Sequence, residues 1–175
     1  MRAQLLVSLF VVLALGTPVF GACSAGDEEM RTFTEDGISF SYPKGWHVVG
    51  FSRLNSPRRL AVTSYSVPVD AVEGDCGGRQ AVELLPPEGV LVLLIDYGER
   101  DSFPARPGRL TVKSGEFSHY ECFGPSTMFR FHVGKQDFQA HVAIGPQASG
   151  EALDRALAML ASLMVAESKS PQVRV

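Results

Sequence analysis

The sequence predicts a small α+β domain: an antiparallel β-sheet with a C-terminal helix and a short second helix. Three observations carry that prediction. Ile38, Phe40 and Tyr42 alternate with serines, the period-two pattern of a half-buried strand. Residues 127–145 set two apolar-alternating runs either side of Gly134-Lys135-Gln136-Asp137, a polar stretch of hairpin length. Leu153, Leu157, Leu160 and Met164 recur at helical spacing behind Ser149, whose hydroxyl can cap a helix.

The chain opens with a secretory leader over residues 1–22: one early charge, Arg2, then an apolar run from Leu5 to Leu15 broken by Ser8, then small and turn-forming residues. That run is short of the roughly 20 residues a permanent transmembrane helix needs. An uncleaved anchor is the alternative. Val19-Phe20-Gly21-Ala22-Cys23 resembles the bacterial lipobox, with Phe20 where that motif usually carries Leu. The resemblance implies lipidation of Cys23 and a membrane partner reached through that lipid. The chain has three cysteines, so lipidating Cys23 leaves Cys76 and Cys122 as an even pair able to close in an oxidising compartment. A plain disulfide role for Cys23 is the competing reading.

Residues 23–30 are small and acidic after the cysteine and read as a flexible tether. Residues 31–165 form the single globular domain, and residues 166–175 read as a disordered tail. The net charge of −3 gives no reason to expect nucleic acid as a partner.

Within the domain, Asp36-Gly37 signals a turn that makes Met30 to Glu35 the hairpin partner of the Ile38 strand. Trp46 to Val49 is a short strand after the Pro43-Lys44-Gly45 turn, and Leu60 to Val67 is another. Gly74 to Gly78 is an irregular loop around Cys76. Arg79 to Leu85 is a short helix stopped by Pro86-Pro87, which cannot donate backbone hydrogen bonds. Val90 to Ile95 is apolar throughout and belongs in a central strand covered on both faces. Glu99 to Arg109 carries charges and two prolines and reads as an exposed loop. In the hairpin, pairing Val133 with Phe138 sets Phe131 against Ala140 and Phe129 against Val142. Arg130, His132, Gln139 and His141 then fall together on the opposite, solvated face. Replacing those four is expected to leave folding intact. The helix spans Ser149 to Val165. A disulfide between Cys76 and Cys122 adds about 4 kcal/mol in the chain-entropy model.

The stretch Gly37-Ile38-Ser39-Phe40-Ser41-Tyr42-Pro43-Lys44-Gly45-Trp46, ahead of a sheet and a C-terminal helix, resembles the opening of PsbP-like (Mog1-like) domains. The resemblance implies an α/β/α sandwich and, loosely, a binding or assembly role.

No motif names a reaction. Cys76 in Asp-Cys-Gly-Gly could be a nucleophile with His119 as base, but exported cysteine pairs are far more often disulfides. His47, His119, His132 and His141 show no metal-ligand spacing, although His132 and His141 with Asp137 or Glu121 could hold a soft metal. No metal or cofactor is expected. There is no Gly-x-Ser-x-Gly elbow and no phosphate loop. Asp70, Glu73, Asp96 and Glu99 could converge as paired carboxylates. Arg58-Arg59 and Arg106 to Arg109 are small basic spots. The expectation is a non-catalytic extracytoplasmic lipoprotein whose face of Arg130, His132, Gln139 and His141 binds an envelope protein or small ligand. The alternatives are an envelope hydrolase assembled only on folding and a purely structural protein.

Overall fold

The computed structural model describes residues 29–50, 57–73, 78–112 and 116–166. The expected leader, Cys23, the expected tether up to residue 28, Cys76 and the expected tail from residue 167 lie outside the described residues. The fold is α+β with antiparallel sheets. In chain order it runs β1 (Met30–Glu35), β2 (Ile38–Pro43), β3 (His47–Val49), β4 (Arg58–Thr63), a 3-10 turn (Val69–Ala71), α1 (Arg79–Glu83), β5 (Val90–Glu99), β6 (Ser118–Tyr120), β7 (Gly124–Val133), β8 (Gln136–Ile144), α2 (Gly150–Ala161) and β9 (Met164–Val165).

The strands form two sheets where the sequence pattern suggested one. Six strands align in the order β3-β4-β5-β8-β7-β6, and β1-β2-β9 make a separate three-stranded sheet. The small sheet gains its third strand because α2 stops short of Val165. The Ser162 hydroxyl donates to the Met159 carbonyl at 2.7 Å and accepts from the Ser41 amide at 2.9 Å. Those two bonds turn the chain back along β2, where Met164 pairs with Ser39 and Val165 with Ile38. The start of α2 is as expected: Ser149 Oγ accepts from the Ala152 amide at 3.1 Å.

β5 takes the central place its composition demands, between β4 and β8. Val90, Val92 and Leu94 point into the larger core with Leu60, Val62, Phe131, Phe138, Ala140 and Val142. That core is closed by Ile38 and Phe40 of the small sheet, by Trp46, and by Ala156, Leu157, Met159 and Leu160 of α2. Complete burial of a side chain such as Phe131 or Phe138 stabilises by roughly 1.5–3 kcal/mol. Leu91 and Leu93 point the other way, into a smaller cluster with Ala61, Val72, Ala81 and Ala143 under α1 and the 3-10 turn.

The β7–β8 hairpin exists, but its register differs from the expected one. Val133 pairs with Gln136, Phe131 with Phe138 and Phe129 with Ala140, around a two-residue turn at Gly134-Lys135. Gly134 adopts φ +62°, which permits so tight a turn. Gln136 and Asp137 join the strand because both are buried and hydrogen-bonded there. A slip of two residues preserves the faces, so the apolar set stays inward. Residues 99–109 are likewise not a free loop: β5 continues to Glu99, and residues 102–106 dock on β7.

Candidate functional site

The four residues expected on the polar face of the hairpin do share one face, yet that face is largely covered. Gln139 is 7% exposed and His141 3%, while Arg130 reaches solvent and His132 is half-buried. A shell made of residues 101–106, Tyr120 and Phe123 covers it. The Tyr120 ring meets the His141 ring edge-on at 5.0 Å, and Phe123 lies over it at 4.0 Å. Open solvation of all four is therefore corrected. The cause is that the smaller apolar cluster is too small to close this face, and polar side chains complete it.

The polar groups form a directed chain. Arg130 Nε donates to Gln139 Oε1 at 2.9 Å. Arginine has no acceptor, so this bond fixes the amide, and Gln139 Nε2 then donates to His141 Nε2 at 2.8 Å. His141 is left as the Nδ1–H tautomer, facing the oxygen of the fully buried Ser126 at 3.3 Å. Burial, and secondarily the Arg130 charge, push His141 down to about 4, so its ring is neutral at physiological pH. Arg130 also lies over the Phe103 ring at 5.7 Å.

A second cluster fastens the covering segment. Asp137 is completely buried and accepts from the Ser102 amide at 2.9 Å, the Ser102 hydroxyl at 2.5 Å and the Phe103 amide at 3.5 Å. Burial alone would raise its carboxyl; these bonds and the nearby His132 outweigh it and hold the carboxyl below the usual range. His132 Nδ1 donates to the Phe103 carbonyl at 2.8 Å, and its backbone bonds Pro104 and Arg106. Arg106 then reaches the C-terminal end of α2, donating to the Leu160 and Leu163 carbonyls.

Other candidates are dispersed. Cys122 is disulfide-bonded; Cys76, its expected partner and the nucleophile candidate, lies outside the described residues. Asp96 is buried and committed to Arg58 and to Gln136 Nε2 at 2.7 Å. Asp137 is held by Ser102 and Phe103, so it is not offered to His132 and His141 as a metal ligand. No group of three or more ligating side chains able to hold a metal occurs among the described residues.

Beside the covered face lies an open cleft of about 580 Å³. Arg79, Val82 and Glu83 of α1 form one wall, and His119, Glu121, Gly124 and Pro125 form the other. Arg79 Nε donates to Glu83 at 3.1 Å across one helical turn. Gly78 sets α1 close to the sheet: a Cβ there would stand 2.6 Å from Leu93, and its φ is +108°. Tyr65 ties the same helix down by donating to the Ala81 carbonyl at 2.5 Å, and burial pushes its hydroxyl up to about 12. Sequence reasoning missed Ser126, Ser102, Tyr65 and Phe123, because their roles depend on contacts with residues far along the chain.

The chain matches no protein-family model, no curated protein and no solved structure. No helix of the described residues is long and apolar enough to cross a membrane.

Proposed function

We propose that this chain is an extracytoplasmic lipoprotein anchored through Cys23, whose folded domain is a non-catalytic binding or assembly module of the PsbP-like sandwich type. The lipobox resemblance supports the anchor. The layering supports the sandwich, with α2 and the small sheet on one side of the large sheet and α1 on the other. One observation carries the non-catalytic reading. The Ser126–His141 contact is what a hydrolase would require, yet Arg130 and Gln139 orient His141 as a donor to that serine. A base must accept the serine proton; here the accepting nitrogen is already occupied by Gln139. Ser126 is also sealed from solvent. The open cleft between α1 and the β6–β7 wall is then the place for a small ligand or a partner segment.

Two experiments test this. Growth with an alkyne-tagged fatty acid is expected to label the wild-type chain, and Cys23→Ala is expected to lose the label and release the domain from the membrane fraction. Label retained in Cys23→Ala would refute the anchor. Treatment of the folded chain with a fluorophosphonate is expected to leave Ser126 unmodified. A stoichiometric adduct on Ser126 would establish the hydrolase alternative instead.

A further inference from the structure

The hairpin of β6 and β7 faces two ways. On its inner side Tyr120 meets the His141 ring edge-on at 5.0 Å, and Phe123 lies over that ring at 4.0 Å. On its outer side His119, Glu121, Gly124 and Pro125 form the cleft wall opposite α1. The tip also touches α1: a Cβ on Gly124 would stand 3.1 Å from Val82, and one on Gly78 would stand 3.3 Å from Phe123. Whatever moves the tip therefore moves the cleft wall. Little backbone pairing holds it in place. β6 pairs over three residues, Ser118 to Tyr120, and the middle partner, Pro125, has no N–H to give. Cys122 is disulfide-bonded, so the tip stays tethered when it swings.

His141 has no place for a second proton while the tip is shut. Its Nδ1–H faces Ser126 Oγ at 3.3 Å, and its Nε2 accepts from Gln139 Nε2 at 2.8 Å. A proton on Nε2 would set donor against donor. Gln139 cannot answer by turning its amide, because Arg130 Nε donates to its oxygen at 2.9 Å and would then meet a donor too. The other titratable or charged groups around the ring bring it no acceptor. Tyr120 of β6 meets it through its aromatic ring, and Asp137, on the same strand as His141, is taken up by Ser102 and Phe103. β5 offers Leu91 and Leu93 on this side, and Arg79 and Glu83 of α1 are paired with each other. His119 and Glu121 stand on the cleft side of the hairpin. Water is the acceptor that remains, and Tyr120 and Phe123 must swing away to admit it.

We propose that His141 is an acid-operated latch on the cleft: on taking a second proton its ring releases the tip from Tyr120 to Phe123, and the cleft wall moves away from α1. The direction follows from linkage. With the tip open the ring is hydrated and titrates near the ordinary 6.5; with the tip shut it titrates at about 4. Above 6.5 neither form takes the proton, and the balance between them is constant. Between 6.5 and about 4 only the open form takes it. The open share then rises roughly tenfold per pH unit. Below that window both forms are protonated and the balance levels off. A ligand held between α1 and the tip is gripped at neutral pH and loosened in acid. The latch goes beyond the binding reading of the cleft and does not depend on what the cleft holds.

The test is amide hydrogen exchange of the exported full chain in detergent micelles, from neutral to acid pH, corrected for intrinsic exchange and repeated in low urea. Residues 117–124 are expected to lose protection roughly tenfold per pH unit within the window, with little response to urea because little surface opens. β5 and β8 exchange through opening of the whole fold, so they stay better protected and respond to urea. His141→Gln is expected to abolish the pH dependence of the tip. Arg130→Met frees Gln139 to turn its oxygen toward the ring, so the shut form accepts the proton and the acid response of the tip shrinks. The latch is overturned by tip protection that stays level across the window, by tip exchange as urea-sensitive as that of β8, or by His141→Gln that keeps the wild-type pH dependence. Should His141→Gln not fold, Arg130→Met decides: an undiminished acid response of the tip in that variant overturns the latch.

Discussion

On one face of the six-stranded sheet, Phe131, Phe138, Ala140 and Val142 meet α2 and the hairpin sheet in a continuous apolar core. On the other, Leu91, Leu93 and Ala143 fill only the part beneath α1, and Gln139, His141 and Asp137 complete the rest by hydrogen bonding. The same strands thus have one face closed by volume and the other by direction. A volume-closed face is indifferent to protons and sensitive to lost methylenes. A direction-closed face is sensitive to protons, because each donor and acceptor has one assigned partner.

The largest expected effect is on the volume-closed face. Phe138→Ala should cost about 3–5 kcal/mol in urea unfolding, by about the same amount at mildly acidic and neutral pH. A loss that changed with pH would mean the two faces are coupled through β8.

The other face should show its own signature with no mutation at all. His141 titrates near 6.5 when unfolded and near 4 in the fold. Above 6.5 it is neutral in both states and adds no pH dependence. As pH falls from 6.5 to about 4, only the unfolded chain takes up the proton, so stability falls over that window. Asp137 acts in the range below. Its contribution is full above the ordinary carboxylate value and is lost as pH drops through its depressed folded value. His141→Gln should flatten the upper part of the profile and leave the lower part. A wild-type profile that is flat across the upper window would show that water reaches His141.

Next in size is Asp137→Ala, which orphans the Ser102 and Phe103 amides. A cost of about 1–3 kcal/mol is expected, together with faster amide exchange confined to residues 101–106. Exchange spreading instead along β8 would show that Asp137 holds the strand rather than the segment covering it.

What was legible in the sequence follows the same division. The inward set Phe129, Phe131, Phe138, Ala140 and Val142 was visible because period-two alternation depends on nearest neighbours alone. The shared face of Arg130, His132, Gln139 and His141 came with it. Their burial was not visible, because it depends on Ser102, Phe103, Tyr120 and Phe123. The hairpin register was misread for the same reason. Gln136 and Asp137 look like turn residues, and their partners Asp96 and Ser102 lie 40 and 35 residues away. β6 and β9, at three and two residues, are too short to leave a periodic signal. The Ser126–His141 contact has no local signal of any kind.

The smallest energetic effect carries the sharpest test of directed closure. Arg130 is exposed, so Arg130→Met should cost only about 1 kcal/mol through its bond to Gln139 and its stacking on Phe103. Its consequence for His141 is larger than its energy. Without the guanidinium, nothing fixes the Gln139 amide, which can turn to present its oxygen to His141 Nε2. The ring can then carry its proton there, which frees Nδ1 to accept from Ser126. Removing the positive charge also removes one of the two causes that depress His141, so its pKa should rise from about 4 toward the ordinary histidine value. Nitrogen-15 spectra of the ring report both changes, since the protonated and lone-pair nitrogens are well separated in shift. An unchanged tautomer and an unchanged titration in Arg130→Met would mean that burial alone sets His141, and that the order of donors along the chain follows from the fold rather than from its terminal arginine.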